Sequence, residues 1–415
     1  LLKGRKGISY VLRDNLGREV GRISEGKLDS AAVSGQDLQI TLDIALQRYA
    51  EQLLANKKGS IVCIEPATGE VLALASAPGY DPAALTIHRN RSAAFAALQQ
   101  DTLKPFFDRS VMAAYAPGSI FKPVLALIAM QENVLQPNRT IYCDGAYRYR
   151  HFSYGCHDHI TPYNVSIALQ HSCNSYFFQT FRDLVEKEGF NRPARGLTTL
   201  NTYLQEFGLD EPLGIDLPHE KGGNVPGPAY YDQLYAGDAW RSTYIMSLGI
   251  GQGELQLTTL QMANLAAIIA NRGYYITPHL IRGFVNSTMS LPEAYTEQKF
   301  VQIDRQYFEP VIEGMSRAVT GGTAVTAYHP RIEICGKTGT SQNPHGKDHS
   351  VFFAFAPREN PQIAIAVYVE NAGWGGTVAA PMAALMIEKY LHDQIDPNRA
   401  WIENRMLEMD LLTKP

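Results

Sequence analysis

The chain has 415 residues, 45% of them hydrophobic and 19% charged, with a formal net charge of −4. That is the composition of ordinary folded protein, in two or three domains or one large one. A slightly acidic balance supplies no field for a polyanion, which excludes nucleic acid as a partner class. The sequence holds no run of the ~18 apolar residues needed to span a bilayer. Leu1 stands where a Met would open a complete chain, so the sequence reads as a fragment.

Residues 1–35 are polar and Gly-rich, with alternating strand-like pieces, and read as the end of a preceding module plus a linker. "LQITLDIALQRYAEQLLANK" then predicts a short strand running into an amphipathic helix. "GSIVCIEPATGEVLALASAP" predicts two strands joined by Pro66-Ala67-Thr68-Gly69. From about Arg109 to Ala270 the pattern is mainly helical, over Ser119–Asn133, Val165–Lys187, Ala194–Phe207 and Leu257–Asn271. Strands return in "RIEICGKTGT", "SVFFAFAP" and "QIAIAVYVEN", and a helix over Ala379–Gln394 closes the domain. Two early and three late strands around a helical middle predict an α+β fold with one antiparallel sheet built from both ends of the chain.

"YAPGSIFKPVLALIAM", Tyr115 to Met130, contains one charge, Lys122, three residues after Ser119. Residues three apart share a helix face. Pro117 and Gly118 allow a sharp entry and Pro123 fits only a first turn, so Ser119 falls where free backbone N–H groups favour developing negative charge. An apolar setting pushes Lys122 toward its neutral form, and a neutral amine beside a serine is a general base beside a nucleophile. The bland alternative is a capping serine and a snorkelling lysine. Ser24 and Lys27 have the same spacing, but among charged residues and with no helix to follow.

Two further signals favour the chemical reading. Lys337-Thr338-Gly339 follows a strand-like run, and a lysine, hydroxyls and a Gly on a strand edge suit binding of a carboxylate-bearing peptide as an added strand. Ser172-Cys173-Asn174 lies between the other two motifs and opens or interrupts a helix. Ser341-Gln342-Asn343 matches the same S-x-N pattern in a less telling position.

S-x-x-K, S-x-N and K-T-G in that order are the signature of penicillin-recognising serine enzymes. With "SLGIGQGELQLTTLQMA", "GKTGTSQ" and "VYVENAGWGGTVAAP", residues 35–395 resemble the elongation-type class B penicillin-binding proteins, the penicillin-binding protein 2 group. The resemblance implies a five-stranded antiparallel sheet covered by helices plus an all-helical subdomain. It divides the chain into the remnant of an N-terminal pedestal or dimerisation module (1–35), a transpeptidase domain (36–398) and a C-terminal tail (399–415). It implies a D,D-transpeptidase in which Ser119 attacks the penultimate D-Ala carbonyl with Lys122 as base. Ser172, assisted by Lys337, would relay a proton to the leaving amine. Asn174 would hold Lys122 and the donor's amide carbonyl. Thr338, Gly339 and Thr340 would bind the terminal carboxylate, and the Ser119 and Thr340 N–H groups would form the oxyanion hole.

The implied partners are peptidoglycan stem peptides and their lipid-linked precursor, β-lactam antibiotics, a SEDS-type glycosyltransferase and scaffold proteins of the elongation complex. The implied location is the periplasmic side of a bacterial inner membrane, with an N-terminal anchor absent from this chain. A septal transpeptidase, a D,D-carboxypeptidase and a β-lactam-sensing receptor are the alternatives. No E-x-x-L-N-type segment follows Asn174, where the nearest acids are Asp183 and Glu186, which favours transfer over hydrolysis.

"YCDGAYRYRHFSYGCHDHITP" gathers Cys143, Asp144, His151, Cys156, His157, Asp158 and His159 shortly before Ser172. Cys156-x-x-His159 reads as half of a zinc site, completed by Cys143 and by His157 or His151. A Cys143–Cys156 disulfide, or surface histidines over buried thiols, are the alternatives. Some elongation-type relatives carry a Cys/Asp/His zinc site here, although the "CHDH" spacing departs from theirs. Catalysis itself requires no cofactor on this reading, and a metal would stiffen the loop under Ser172.

Overall fold

The computed structural model describes residues 4–86, 89–237, 239–285 and 289–413; residues 1–3 and 414–415 of the two terminal segments lie outside the described residues. Helix α1 (Ile44–Leu54) starts where the Asp43 carboxylate accepts the N–H groups of Ala45 and Leu46 at 2.9 and 3.0 Å, covering two of the donors every helix start leaves unpaired. The hairpin β1 (Gly59–Ile64) and β2 (Val71–Ala77) follows. The helical middle contains α2 (Lys122–Gln131), the small hairpin β3 (Ala146–Tyr149) and β4 (Phe152–Gly155), and then α3 (Val165–Gln170), α4 (Asn174–Val185) and α5 (Pro193–Glu206). Next come α6 (Thr259–Ala270) and α7 (Phe308–Gly321), strands β5 (Cys335–Ser341), β6 (His349–Ala356) and β7 (Ile363–Val369), and helices α8 (Ala379–His392) and α9 (Ala400–Glu408).

The five main strands form one antiparallel sheet in the order β5-β6-β7-β1-β2. Both ends of the chain meet at the β7–β1 pairing, as the strand pattern predicted. Alternate residues of each strand enter different cores. Val62, Ile64, Phe353, Ala366 and Tyr368 join the core shared with the helical middle, whereas Ile61, Cys63, Phe352, Ile365 and Val367 join the one under α1 and α8. Because both faces are covered, β1 and β7 are buried along their whole length, which is why they read as continuous apolar runs. Helix α6 is buried on every side between sheet and helices, a pattern a one-faced helix cannot show. Thr258 and Gln261 close a capping box at its start.

The two ends of the chain differ. Near the N-terminus, Val11–Arg13 pairs with Glu19–Arg22, while Ile8, Leu12, Leu16 and Val20 remain exposed. The C-terminal segment instead docks: Met406 is fully buried and the Tyr49 hydroxyl donates to Glu403 at 2.8 Å. Buried Glu388 accepts Arg399 Nε at 2.8 Å and the Asp396 N–H at 2.8 Å. None of the described helices is long and apolar enough to cross a membrane.

Candidate active site

Ser119 stands in a 3-10 turn, Gly118–Phe121, that runs directly into α2. Gly118 has φ +58°, and a Cβ there would lie 2.6 Å from the Thr340 carbonyl oxygen. A Cβ on Gly339 would lie 2.6 Å from the Pro117 carbonyl oxygen. The two glycines therefore let the serine's turn press against β5 backbone to backbone. Strand β5 lies at the edge of the sheet, so its outer side faces this turn and the cleft.

Lys122 is fully buried. Its Nζ donates to the Ser172 carbonyl oxygen at 2.6 Å, to Asn174 Oδ1 at 2.7 Å and to Ser172 Oγ at 3.2 Å, 5.6 Å from the Phe177 ring centroid. Burial lowers its pKa to about 8, with Cys173 and Cys156 acting weakly the other way. These bonds tie Lys122 to the Ser172–Asn174 segment, and among the described residues none joins it to the Ser119 hydroxyl. Of its partners only the Ser172 hydroxyl can donate as well as accept. When Lys122 is neutral, that bond can reverse and the amine keeps its other two.

The expected helix over Val165–Lys187 is broken at this point. The Ser172 N–H closes on the Leu169 carbonyl at 3.1 Å and that of Cys173 on Ala168 at 3.0 Å, ending α3. Ser172 itself adopts φ +53°, a left-handed conformation that a side-chain-bearing residue holds only when its surroundings impose it. Here the Lys122 ammonium grips its carbonyl. Asn174 begins α4 and spends one amide N–H on the Gly155 carbonyl at 3.1 Å.

Lys337, Thr338 and Gly339 lie on β5. Lys337 is buried with its Nζ on the Thr338 carbonyl at 3.1 Å. Burial first, and Lys122 second, hold it well below the usual lysine range. Ser119, Ser172, Asn174, Thr338 and Thr340 line one cavity of about 560 Å³, so the three motifs converge. Ser24 and Lys27 are exposed and far from it in character. Asn343, of the second S-x-N, braces the β5–β6 turn through Asp348 and Asn371.

Several cavity residues stand outside the three motifs. Gln252 Nε2 donates to the Thr340 carbonyl at 2.7 Å. Thr338 Oγ1 donates to Thr323 Oγ1 at 2.8 Å, and the Gly375 N–H reaches Thr340 Oγ1 at 3.4 Å. Gln252 and Gly375 stand in the phrases "GIGQG" and "AGWGG", but no residue chemistry in those phrases marked them. Asp183 pairs with Arg139 at 2.8 Å and Glu186 accepts the Ser242 hydroxyl, so both acids after Asn174 are engaged away from the cavity.

In the Cys/His segment, the ligand atoms of Cys143, Cys156, His159 and Cys173 all lie within 4.8 Å of one another. Cys156 Sγ is 3.3 Å from His159 Nε2 and accepts the Asn174 N–H at 3.1 Å. A hydrogen bond from Cys173 pulls the Cys156 thiol down and pushes that of Cys173 up. His157, expected as a ligand, is outside this group of four: its Nε2 lies on the His171 carbonyl, although its ring still hydrogen-bonds the Cys156 thiol. Cys173 takes its place, brought in by the break at Ser172. His151 meets Phe152 ring to ring at a tilt of 36° and Asp144 pairs with Arg148. All five cysteines are free, so Cys143 and Cys156 are not bridged.

The family model described as Penicillin binding protein transpeptidase domain matches residues 59–388. The chain is 30% identical to the peptidoglycan D,D-transpeptidase MrdA of Haemophilus influenzae over 95% of its own length and 62% of that protein. It therefore spans somewhat less than two thirds of that relative. The Pseudomonas aeruginosa PBP2 structure in complex with WCK 5153 superposes with a TM-score of 0.76 at 30% identity, covering 89% of this chain and 79% of that one. A structure described as coordinating polymerization and crosslinking by a peptidoglycan synthase complex gives a TM-score of 0.76 at 26% identity, over 93% of this chain and 67% of that one. With the sheet, the three converging motifs and a family match over most of its length, the chain belongs to the penicillin-binding protein transpeptidase domain family.

Proposed function

We propose that the chain is the catalytic portion of a peptidoglycan D,D-transpeptidase of cell elongation, working through an acyl-enzyme on Ser119 and acylated there by β-lactams. The observation that carries the reading is a fully buried lysine, Lys122, with its pKa lowered to about 8, three residues after Ser119 and bonded to Ser172 and Asn174, and Ser119, Ser172 and Asn174 line one cavity with Thr338 and Thr340. The similarity to MrdA supports the D,D-transpeptidase assignment and the elongation role.

Neutral Lys122 takes the Ser119 proton as Oγ attacks the penultimate D-Ala carbonyl. Backbone N–H groups of Ser119 and Thr340 stabilise the oxyanion, a contribution of about 10²–10³ in rate per donor in comparable sites. The proton then passes from Lys122 through the Ser172 hydroxyl to the departing D-Ala amine, with Lys337 behind the relay. Thr338 and Thr340 hold the terminal carboxylate, and Asn174 orients Lys122 and the donor amide. An acceptor amine then resolves the ester, returning its proton along the same path. Stem peptides on their lipid-linked precursor are the substrates. A SEDS-type glycosyltransferase and elongation scaffold proteins are the partners, and the bacterial periplasm is the location. The synthase-complex neighbour supports a polymerising partner.

Cys143, Cys156, His159 and Cys173 fit a zinc ion. Three sulfurs and one imidazole nitrogen are a soft donor set, and a spread of 4.8 Å needs only slight contraction toward the ~3.7 Å edge implied by Zn–S bonds of about 2.3 Å. Four protein ligands leave no open position, so the ion would supply rigidity alone. Because Cys173 sits between Ser172 and Asn174, that rigidity would act on the proton relay.

Incubation with a fluorescent penicillin, followed by mass spectrometry of the labelled peptide, tests the reading. Label on Ser119 is expected, lost in Ser119→Ala. No label, or label at another residue, would sink it. Label without cross-linking of stem peptides would point to a sensing receptor instead.

A further inference from the structure

Strand β5 is not the only ribbon that reaches the cavity around Ser119. Gly155, Cys156 and His157 line it as well, and Asn174 Nδ2 ties the Gly155 carbonyl to the catalytic cluster at 3.1 Å. Gly155 ends the β3–β4 hairpin, so that small ribbon runs outward from the rim of the cavity. Its packed face is fixed. Tyr147 and Tyr154 meet the Phe178 ring at 5.9 and 5.0 Å, and the Tyr154 hydroxyl donates to the Thr243 carbonyl at 2.7 Å. On the other face Arg148, Ser153 and Gly155 are exposed.

At the far end of the hairpin, Arg150 stands in the turn between Tyr149 and Phe152 with φ +54°. Its guanidinium lies 4.7 Å from the Phe190 ring centroid and 5.4 Å from that of Tyr149. Arg241, half-buried, comes to the same Phe190 ring from another segment, at 5.5 Å. Its Nη1 donates to the Trp240 carbonyl at 3.0 Å. Two like charges are thus gathered on one ring, each drawn by its face and repelled by the other. No carboxylate relieves that repulsion. Among the described residues neither Arg150 nor Arg241 forms an ion pair, and acids of α4 and its end are spent elsewhere. Asp183 pairs with Arg139, and Glu186 with Arg182 and the Ser242 hydroxyl.

A pair of guanidinium forks suits a carboxylate, which each can meet with two N–H donors. Position supplies the identity of that carboxylate. An acyl-enzyme on Ser119 keeps the donor strand on β5, so an incoming amine has the Gly155–His157 side open to it. From Gly155 to Phe152 the ribbon advances about 10 Å at ~3.3 Å per residue, and Arg150 lies just beyond. The long side chain of a diamino acid plus one or two main-chain residues covers that span. We infer that Arg150 and Arg241, gathered on Phe190, bind the terminal carboxylate of the acceptor peptide while its side-chain amine reaches Ser119. That amine forms the new amide as the Ser119 ester bond breaks, and its proton returns to the serine oxygen. The inference rests on the transpeptidase reading above and adds to it the surface that holds the second strand.

The test measures how the acyl-enzyme divides between water and an amine. A diacetyl-L-Lys-D-Ala-D-thiolactate donor acylates the chain. The acceptor, L-Ala-γ-D-Glu-meso-diaminopimelyl-D-Ala, is supplied with its terminal carboxylate free or amidated. Mass spectrometry reads the ratio of cross-linked to hydrolysed product. The wild type is expected to favour the free carboxylate about fivefold, the scale of a partly exposed ion pair. Arg150→Gln combined with Arg241→Gln is expected to bring that preference to one, and Arg150→Lys to keep part of it. Because partition follows acylation, a slower donor step does not imitate the result. Equal partition for the two acceptors in the wild type, or an unchanged preference in the double variant, would overturn the inference while leaving the transpeptidase reading standing. So would hydrolysis alone with both acceptors. An unchanged preference accompanied by lost binding to phosphatidylglycerol vesicles would assign the two arginines to an anionic lipid surface, and would overturn it too. Failure of the donor to acylate together with absence of penicillin label would count against the underlying reading itself.

Discussion

Lys122 Nζ lies 2.7 Å from Asn174 Oδ1, and this bond joins the S-x-x-K and S-x-N motifs through one buried amine. Lys122→Met keeps the length and apolar character of the side chain while removing the base. Loss of a general base typically costs 10²–10⁴ in rate, so penicillin acylation is expected to fall by at least about a hundredfold. Lys27→Met, at the exposed decoy, is expected to change nothing. The substitution leaves three acceptors without their donor, at about 1–3 kcal/mol for a buried group, offset by the removal of a poorly solvated amine. A melting curve within a few degrees of wild type would show that the lost acylation is chemical.

The pH dependence follows from the sign of the Lys122 shift. Burial lowers its pKa to about 8; above that value the amine is neutral and can accept the Ser119 proton, and below it the ammonium cannot. The second-order rate constant for acylation is expected to rise with pH up to about 8 and then level, falling about tenfold per unit on the acid side. Stopped-flow acylation between pH 6 and 10 checks this. A flat profile would remove Lys122 from the role of base.

Gly118→Ala is expected to damage both stability and acylation. Its Cβ would come 2.6 Å from the Thr340 carbonyl at φ +58°, so backbone must move in the turn that carries Ser119. Gly17, at φ +77° with nothing within 4 Å of its Cβ position, is the control. There only the left-handed conformation is penalised, by about 1 kcal/mol, and acylation is expected to be normal. Thermal melts and penicillin labelling of the two variants separate contact from conformation.

Metal content distinguishes the ligand set seen here from the one the local spacing suggested. About one zinc per chain is expected by mass spectrometry of the purified protein, retained in His157→Ala and lost in Cys173→Ala. A chelator is expected to lower the melting temperature by several degrees, because an ion bound to the folded state alone stabilises it. Zinc retained in Cys173→Ala would reject the four-ligand cluster.

What could be read from residues alone was whatever had a local period or a local motif. The alternation and apolar runs of "GSIVCI" and "IAIAVYV" are those of β1 and β7, and S-x-x-K, S-x-N and K-T-G do lie around one cavity. The remainder depended on contacts between distant segments. "RIEIC" looks like strand throughout, yet β5 begins only at Cys335, where pairing with Phe355 of β6 starts. Val165–Lys187 is periodic across Ser172; the S-x-N motif placed a helix start or interruption there, and the two helices do part at it, but no propensity marks Ser172's left-handed conformation. Cys173 joins Cys143, Cys156 and His159 because of that division, whereas spacing pointed to His157. Gln252 acquires meaning only from the Thr340 carbonyl that the fold sets opposite it.

The bond from Gln252 Nε2 to the Thr340 carbonyl has a consequence for anything that enters the cleft. An exposed sheet edge is an open invitation to foreign strands, and this one is already answered from within. An incoming strand has to share that carbonyl or dislodge the glutamine. A peptide-like ligand with an N–H in register replaces the bond it breaks, whereas one presenting only carbon there leaves that oxygen unpaired. The side chain of Gln252 thus occupies, in the resting protein, one of the edge-strand acceptors that an added strand would use.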